Sequence, residues 1–330
     1  MARESSSFTD WLRDETWSLH EHLESLPYSK TILAGEARLL SYVGHIRAMA
    51  ALHAILEKGL DGSTSEVVKA VWQEDMRKLP LLVMDLEFFR YKLLPDLPEA
   101  VAAVLKMVAA IRLKAVEEPL TLLGYLYVLE GSTQGAMILA PKVAESLGLD
   151  RHHGLAYLTN YGQDAPRFWE ETKTRLNLAV IGQKEKNTIL AAAKELYGAL
   201  TEVFEALHPL DKEALRYSAT SFNFEAGNHP VTQDPGEIAA VLRATDRCLA
   251  KYPYFTYRYG ERGRRFTDSD GAWLAALLDL DERKMLDQIL WLGRVLSSRG
   301  MPRFLLQRPL EIVHEEPTRA VPEKGNVCDN

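Results

Sequence analysis

Cysteine is almost absent: Cys248 and Cys328 are the only two in 330 residues, too few and too far apart for a disulfide framework or a cysteine zinc site, so both are expected to be free thiols. No run of Lys and Arg builds a basic stripe, and the formal net charge is −7. Without the basic stripe that a phosphate backbone requires, nucleic acid is not an expected partner. The opening Met1-Ala-Arg-Glu-Ser-Ser-Ser lacks an apolar signal core, and no uninterrupted run of about 18 apolar residues could span a bilayer. A cytoplasmic protein with no membrane partner is the expectation. Sustained period-two alternation is missing up to Leu207, which argues against half-buried strands. Nucleotide loops are missing as well, since Gly260-Glu-Arg-Gly263 is too short for a dinucleotide fingerprint.

What is present is an ordinary globular balance of 47% apolar and 26% charged residues, in a chain longer than one core usually serves, so a large unit and a smaller one are expected. Helical periodicity dominates. The pattern predicts helices at about Thr9–Leu26, Gly35–Lys58, Ser63–Arg77, Leu97–Lys114, Pro119–Leu147, Pro166–Leu178 and Lys184–Leu207, an all-α domain over residues 1–208. Pro119 suits a first turn, Gly148 a C-terminal cap and His208-Pro209 a stop. After a stretch with Pro230 and Pro235, a helical C-terminal unit is expected over 209–315, with helices at Gly236–Tyr252, Asp270–Leu280, Glu282–Ser298 and Pro302–Glu315. A polar, flexible tail is expected over 316–330.

In the first helix, Phe8, Leu12, Thr16, Leu19 and Leu23 make the core-facing stripe. Arg13, His20 and Glu24 cluster about 80–120° round from Leu12 at 100° per residue, on a second face. A neutral imidazole can ligate iron while a carboxylate four residues on fixes its tautomer, and an arginine on the same face can meet an anion. The same His20–Glu24 spacing also suits a solvated ion pair. In the fifth predicted helix, Gly131 and Gly135 interrupt an apolar pattern at about 1 kcal/mol each against Ala. Either close helix packing or a flat ligand against the backbone would offset that cost. Ser132 and Thr133 can bond back to helix carbonyls and bend the rod.

Together these stretches resemble the heme oxygenase family, its bacterial biliverdin-producing branch in particular, over about residues 8–208. Leu12-Arg-Asp-Glu-Thr-Trp-Ser-Leu-His20-Glu-His-Leu-Glu24 is similar to the family's proximal helix, and Tyr127-Val-Leu-Glu-Gly131-Ser-Thr-Gln-Gly135 to its glycine-rich distal helix. Asn160-Tyr-Gly162 with Phe168-Trp169 resembles the turn and helix that follow, and Lys78 to Asp85-Leu86 a helix–helix contact segment. The resemblance implies a heme oxygenase-like helical bundle, with His20 as axial ligand of the heme iron, Glu24 orienting it and Arg13 at a propionate. Lys173 and Arg175, in Lys173-Thr-Arg175-Leu-Asn177, are implied as a basic strip at the second propionate, and Gly131, Ser132 and Gly135 as the catalytic distal side. It further implies heme as substrate and cofactor, conversion to biliverdin, ferrous iron and carbon monoxide, consumption of O2, and an external electron donor such as a ferredoxin or flavin reductase. Two positions depart from the pattern. Ala136 stands where a second adjacent glycine is usual, so its methyl is expected to narrow the distal pocket, and Ser132 stands where animal enzymes carry aspartate.

Two other readings are compatible with the residues. A non-catalytic heme or bilin carrier or sensor would keep His20 and lose turnover through Ala136. A helical di-metal oxidase would use Glu-x-x-His pairs, found at Glu205–His208 and Glu311–His314. In the second unit, the aromatic and arginine-rich strip from Tyr252 to Asp270 could grip propionates, another anion or a partner's acidic face; the favoured expectation is a loop, with inward aromatics and with Arg258, Arg262, Arg264 and Arg265 paired to Glu261, Asp268 and Asp270.

Overall fold

A computed structural model describes residues 7–150, 153–210, 215–277 and 280–298. Among these, helices follow one another with no strand, only isolated bridges joining Asp96 to Arg216 and Ser218 to Pro230. The chain forms two compact units. The first takes the described residues up to 89 and from 97 to 210; the second takes 90–96 and those from 215 onward.

The first unit begins with α1, Phe8–Ser25, whose Ser7 cap accepts a hydrogen bond from the Asp10 amide at 3.2 Å. Phe8, Leu12 and Thr16 of its predicted stripe are buried. Two helices fall outside the predicted set. α2, Pro27–Leu33, is only seven residues long, too short to show a period. α5, Leu79–Phe89, is apolar on nearly every side and shows no amphipathic stripe. α3, Leu39–Asp61, starts later than expected because Gly35 has φ +75°, a left-handed turn that no helix continues. By length and composition α3 alone among the described helices could cross a membrane, but 61% of its apolar stretch is buried inside the protein, as in a core helix. The predicted Ser63–Arg77 helix splits into α4, Glu66–Val71, and a 3-10 turn at Glu74–Met76.

α6, Pro98–Glu117, and α7, Thr121–Leu147, follow, with Gly148 ending α7 at φ 62° as its sequence position suggested. The serine and threonine back-bonds leave α7 unbroken. α8, Ala165–Ala179, and α9, Gln183–Ala206, complete the unit. α9 lies directly on α7: a Cβ at Gly124 would sit 2.3 Å from the Ile189 carbonyl and 2.7 Å from the Ala192 Cβ. Close helix packing thus rests on Gly124.

The second unit contains α10, Pro235–Lys251, α11, Pro253–Ala276, and α12, Glu282–Ser298. Its core joins Val241, Ala244, Cys248 and Ala275. The aromatic and arginine-rich strip is helix and not the expected loop. Pro253 opens α11 and the rod breaks only at Gly260, φ 57° and ψ −157°, a backbone shape essentially restricted to glycine. Its aromatics do not all turn inward, for Tyr257 is 90% exposed while Phe255 is buried. Arg262 and Arg265 bind Glu225 at 3.0 Å, and Arg264 binds Asp246 at 2.7 Å besides lying 4.0 Å from Glu261. Asp268 instead receives Arg90.

Residues 90–96 are embedded in this second unit. The buried Arg90 guanidinium donates to Asp268 at 2.9 and 3.0 Å and to Asp246 at 3.0 Å. Ser218 and Thr220 each donate to Asp96 at 2.6 Å, and Tyr217 to the Leu93 carbonyl at 2.8 Å. The predicted helix Pro302–Glu315 with its Glu311–His314 pair, the tail and Cys328 lie outside the described residues.

Candidate active site

His20 and Glu24 sit one turn apart on α1, and the His20 Nε2 is 3.6 Å from the Glu24 Oε1. The other ring nitrogen, Nδ1, is buried and has no hydrogen-bond partner. A buried polar atom left unsatisfied costs free energy, so this nitrogen is poised for a ligand. Trp17, half exposed, stacks on the imidazole with centroids 5.3 Å apart and planes 18° apart.

α8 ties α1 to α7. Asn177 accepts from the Thr9 amide at 2.9 Å and donates to the Thr9 hydroxyl at 3.0 Å. Trp169 lies 5.4 Å, centroid to centroid, from Tyr127, and the Tyr127 hydroxyl reaches Thr16 on α1. The same indole covers Gly131, where a Cβ would meet it at 3.3 Å. Gly135 differs, since a Cβ there would meet nothing within 4 Å. Of the two glycines in the interrupted helix, one is covered by an aromatic ring and the other borders open space. Ser132, exposed beside it, donates to the Leu129 carbonyl at 2.6 Å. Ala136 is buried.

The cationic residues divide. Arg13 is exposed and paired with Asp14 at 2.9 Å and Asp10 at 3.4 Å. Lys173 pairs with Glu170 at 2.7 Å. Arg175 is two positions on, about 200° round the helix. It contacts the Met76 sulfur at 3.8 Å and Thr172 at 3.4 Å, with its Nε buried and unpartnered. Lys173 and Arg175 therefore do not form one strip, a correction that follows from helical spacing alone.

Behind α7 lies a polar network that the motifs did not reveal. Lys78, 1% exposed, places its ammonium 3.3 Å from Glu130, 2.7 Å from the Tyr161 hydroxyl and 2.9 Å from the Met76 carbonyl. Burial lowers the Lys78 pKa while Glu130 opposes that shift. Asp85 accepts the amides of Ala156 and Tyr157 at 2.8 and 2.9 Å, which fixes the turn after α7. On α3, His53 and Glu57 form a second His–Glu pair at 3.2 Å, and the Tyr157 hydroxyl lies 3.5 Å from His53. The available signal was charge inside apolar runs, as at His53-Ala-Ile-Leu-Glu57, because buried charge must find partners.

The heme oxygenase family profile matches residues 6–206, more than half of the chain. The chain belongs to the heme oxygenase family. Heme oxygenase 1 of Gallus gallus is 24% identical over 214 residues, which span 62% of this chain and 71% of that protein. A Guillardia theta heme oxygenase is 22% identical over 206 residues, spanning 62% and 87%. In three dimensions the chain is similar to heme oxygenase-2 from Synechocystis, solved with heme and NO, with TM-score 0.58, 20% identity and coverage of 68% and 94%. Heme oxygenase from Leptospira interrogans gives 0.55 and 23%, covering 61% of this chain and 99% of that one. The helical fold of the first unit is thus the heme oxygenase fold. Its residues fit a flat, iron-centred group: a histidine nitrogen without a partner and a glycine that leaves room beside the helix.

Proposed function

We propose that this chain degrades heme to biliverdin, ferrous iron and carbon monoxide in its first unit, with His20 as the axial ligand. It is a heme oxygenase, and heme is its substrate and its cofactor. The observation that carries the site assignment is the His20 ring, with Glu24 near one nitrogen and no hydrogen-bond partner at the other. When bound, heme supplies both the iron at which O2 is reduced and the porphyrin edge that is cut. The chain supplies the setting. Glu24 holds the ring tautomer so that a nitrogen lone pair is presented, and a neutral histidine gives iron a weaker electron push than a thiolate would. Gly135 lets the α7 backbone approach a flat ring, and Ser132 is the hydroxyl on that side. Arg13 and Lys173 are the cations we assign to propionates; Arg175 supports from within. Electrons come from a separate donor such as a ferredoxin or flavin reductase.

The carrier reading leans on the Ala136 methyl. As for a di-metal site, no group of three His, Cys, Asp or Glu side chains able to hold a metal ion occurs among the described residues. The test is to titrate the purified protein with hemin and then add a reductant in air. A histidine-type Soret band that saturates at one heme per chain and gives way to biliverdin absorption is expected. A stable band under reduction would support the carrier instead.

A further inference from the structure

Trp17 belongs to a row that the motifs leave out. Arg13, Trp17, His20 and Glu24 are spaced four, three and four residues apart, so at 100° per residue all four fall within about 60° of one another on α1. Each is at least partly exposed, Trp17 by 50% and the His20 side chain by 40%. Helix side chains lean toward the N-terminus, which lays His20 back over Trp17. The two rings stack with centroids 5.3 Å and planes 18° apart. An indole that keeps half its surface in water is not a core residue, so core packing does not account for the stack.

Two contacts act on the imidazole, and they fix different things. Torsion about the bond that carries the ring is soft, so the helix alone does not set the ring plane. Glu24 comes to one ring nitrogen at 3.6 Å, longer than a hydrogen bond, between side chains that water screens. A contact at one ring atom leaves the ring able to swing about it. The indole lies against a whole face of the ring, and an offset-stacked pair at this separation holds its planes near parallel. The lone pair that a histidine offers to a metal lies in the ring plane, so whatever fixes the plane fixes the direction of the bond. We infer that Trp17 is a positioning residue for the axial ligand, setting by its stack the plane in which His20 offers a lone pair to iron. The inference rests on heme being bound at His20.

The test is Trp17→Ala beside Trp17→Phe, whose smaller ring can keep the stack. In the heme-free protein at about pH 8, above the ordinary imidazole pKa, the His20 ring-proton NMR signals are identified by their loss in His20→Ala. They are expected upfield of a solvated histidine's, because they lie over an aromatic face. W17A should return them to solvated positions, whereas W17F and Glu24→Gln should keep most of the displacement. Signals already at solvated positions in the unaltered protein, or unmoved by W17A, would overturn the inference. In the ferric hemin complex with cyanide added, the spread of the heme-methyl proton signals follows the plane of the axial imidazole. W17A is expected to change that spread and to weaken hemin binding about 3–10-fold, with W17F restoring most of both. An unchanged methyl pattern in W17A would overturn the inference as well. A protein that takes up no hemin would overturn the heme reading and with it the ligand role, whereas the His20 signals need no heme and judge the stack on their own.

Discussion

Two histidines in the first unit each stand four residues before a glutamate, and the molecule treats them oppositely. His20 and Glu24 on α1 have side chains 40% and 62% exposed, whereas those of His53 and Glu57 on α3 are both 5% exposed. Both nitrogens of His53 have partners, while one nitrogen of His20 has none. The difference teaches that an i,i+4 His–Glu spacing brings a carboxylate to one ring nitrogen, Nε2 in the first pair and Nδ1 in the second, and nothing more. What remains for the second nitrogen decides whether the pair binds a ligand or braces the protein.

The largest expected effects bear on the open pair. His20→Ala should abolish the histidine-type Soret band and heme turnover, whereas Glu24→Gln should keep the band and weaken hemin binding by about 10–100-fold, as loss of a ligand-orienting group does. A His20→Ala protein with an unchanged band would erase the distinction between the pairs. On the buried side, Glu130→Leu strands the Lys78 ammonium and should cost ~3–5 kcal/mol in urea unfolding, with Lys78→Met on the same chain restoring most of it. Failure of the second change to rescue would show that the network holds α7 through Tyr161 alone.

The glycines sharpen the contrast at smaller scale. Gly124→Ala should destabilise by about 1–3 kcal/mol, since the new methyl meets α9. Gly135→Ala should instead raise the stability of the heme-free protein by up to about 1 kcal/mol and weaken hemin binding by about tenfold, the loss expected of a modest clash. Equal thermal shifts in the two variants would refute the division between a packing glycine and an open one.

The smallest effect is on pH. Burial pushes Asp85 up to about 6 from 3.8, against the two amides that lower it, and pushes His45 down to about 4 from 6.5. Asp85 binds its proton more tightly when folded, so its contribution is present below about pH 4 and lost as pH rises through 6. His45, packed between Tyr28 and Phe204, does the reverse, contributing above 6.5 and losing that contribution as pH falls to 4. The two oppose each other between pH 4 and 6. His45→Phe should leave the Asp85 trend alone, a stability falling with pH by at most about 1.4 kcal/mol per unit, read from urea midpoints.

Much of this was legible in the sequence for reasons that differ from part to part. The long amphipathic helices α1, α6 and α7 to α9 announce themselves through their period, and α10 and α12 do so in the second unit. α2 is too short and α5 too uniformly apolar for the same signal. The tyrosine and arginine strip reads as a loop because glycines and charges dominate its composition, yet its arginines have carboxylates on other segments, Glu225 and Asp246, that no local pattern predicts. At the site, the His20–Glu24 pair and both glycines were visible as motifs, but their unequal surroundings were not, for Trp169 reaches Gly131 from a separate helix. Tyr157, His53 and Glu57 were missed because their meaning arises only when three distant segments meet.

The seven residues from Arg90 to Asp96 bear on how the chain can be made and cut. They leave the ribosome long before residue 215, yet Arg90 awaits Asp246 and Asp268, and Asp96 awaits Ser218 and Thr220. During synthesis the first unit must therefore carry an unfinished link between α5 and α6 until the last third of the message is read. A stop codon placed after residue 208, where the sequence suggests a clean division, would leave that guanidinium and that carboxylate permanently without their counterparts.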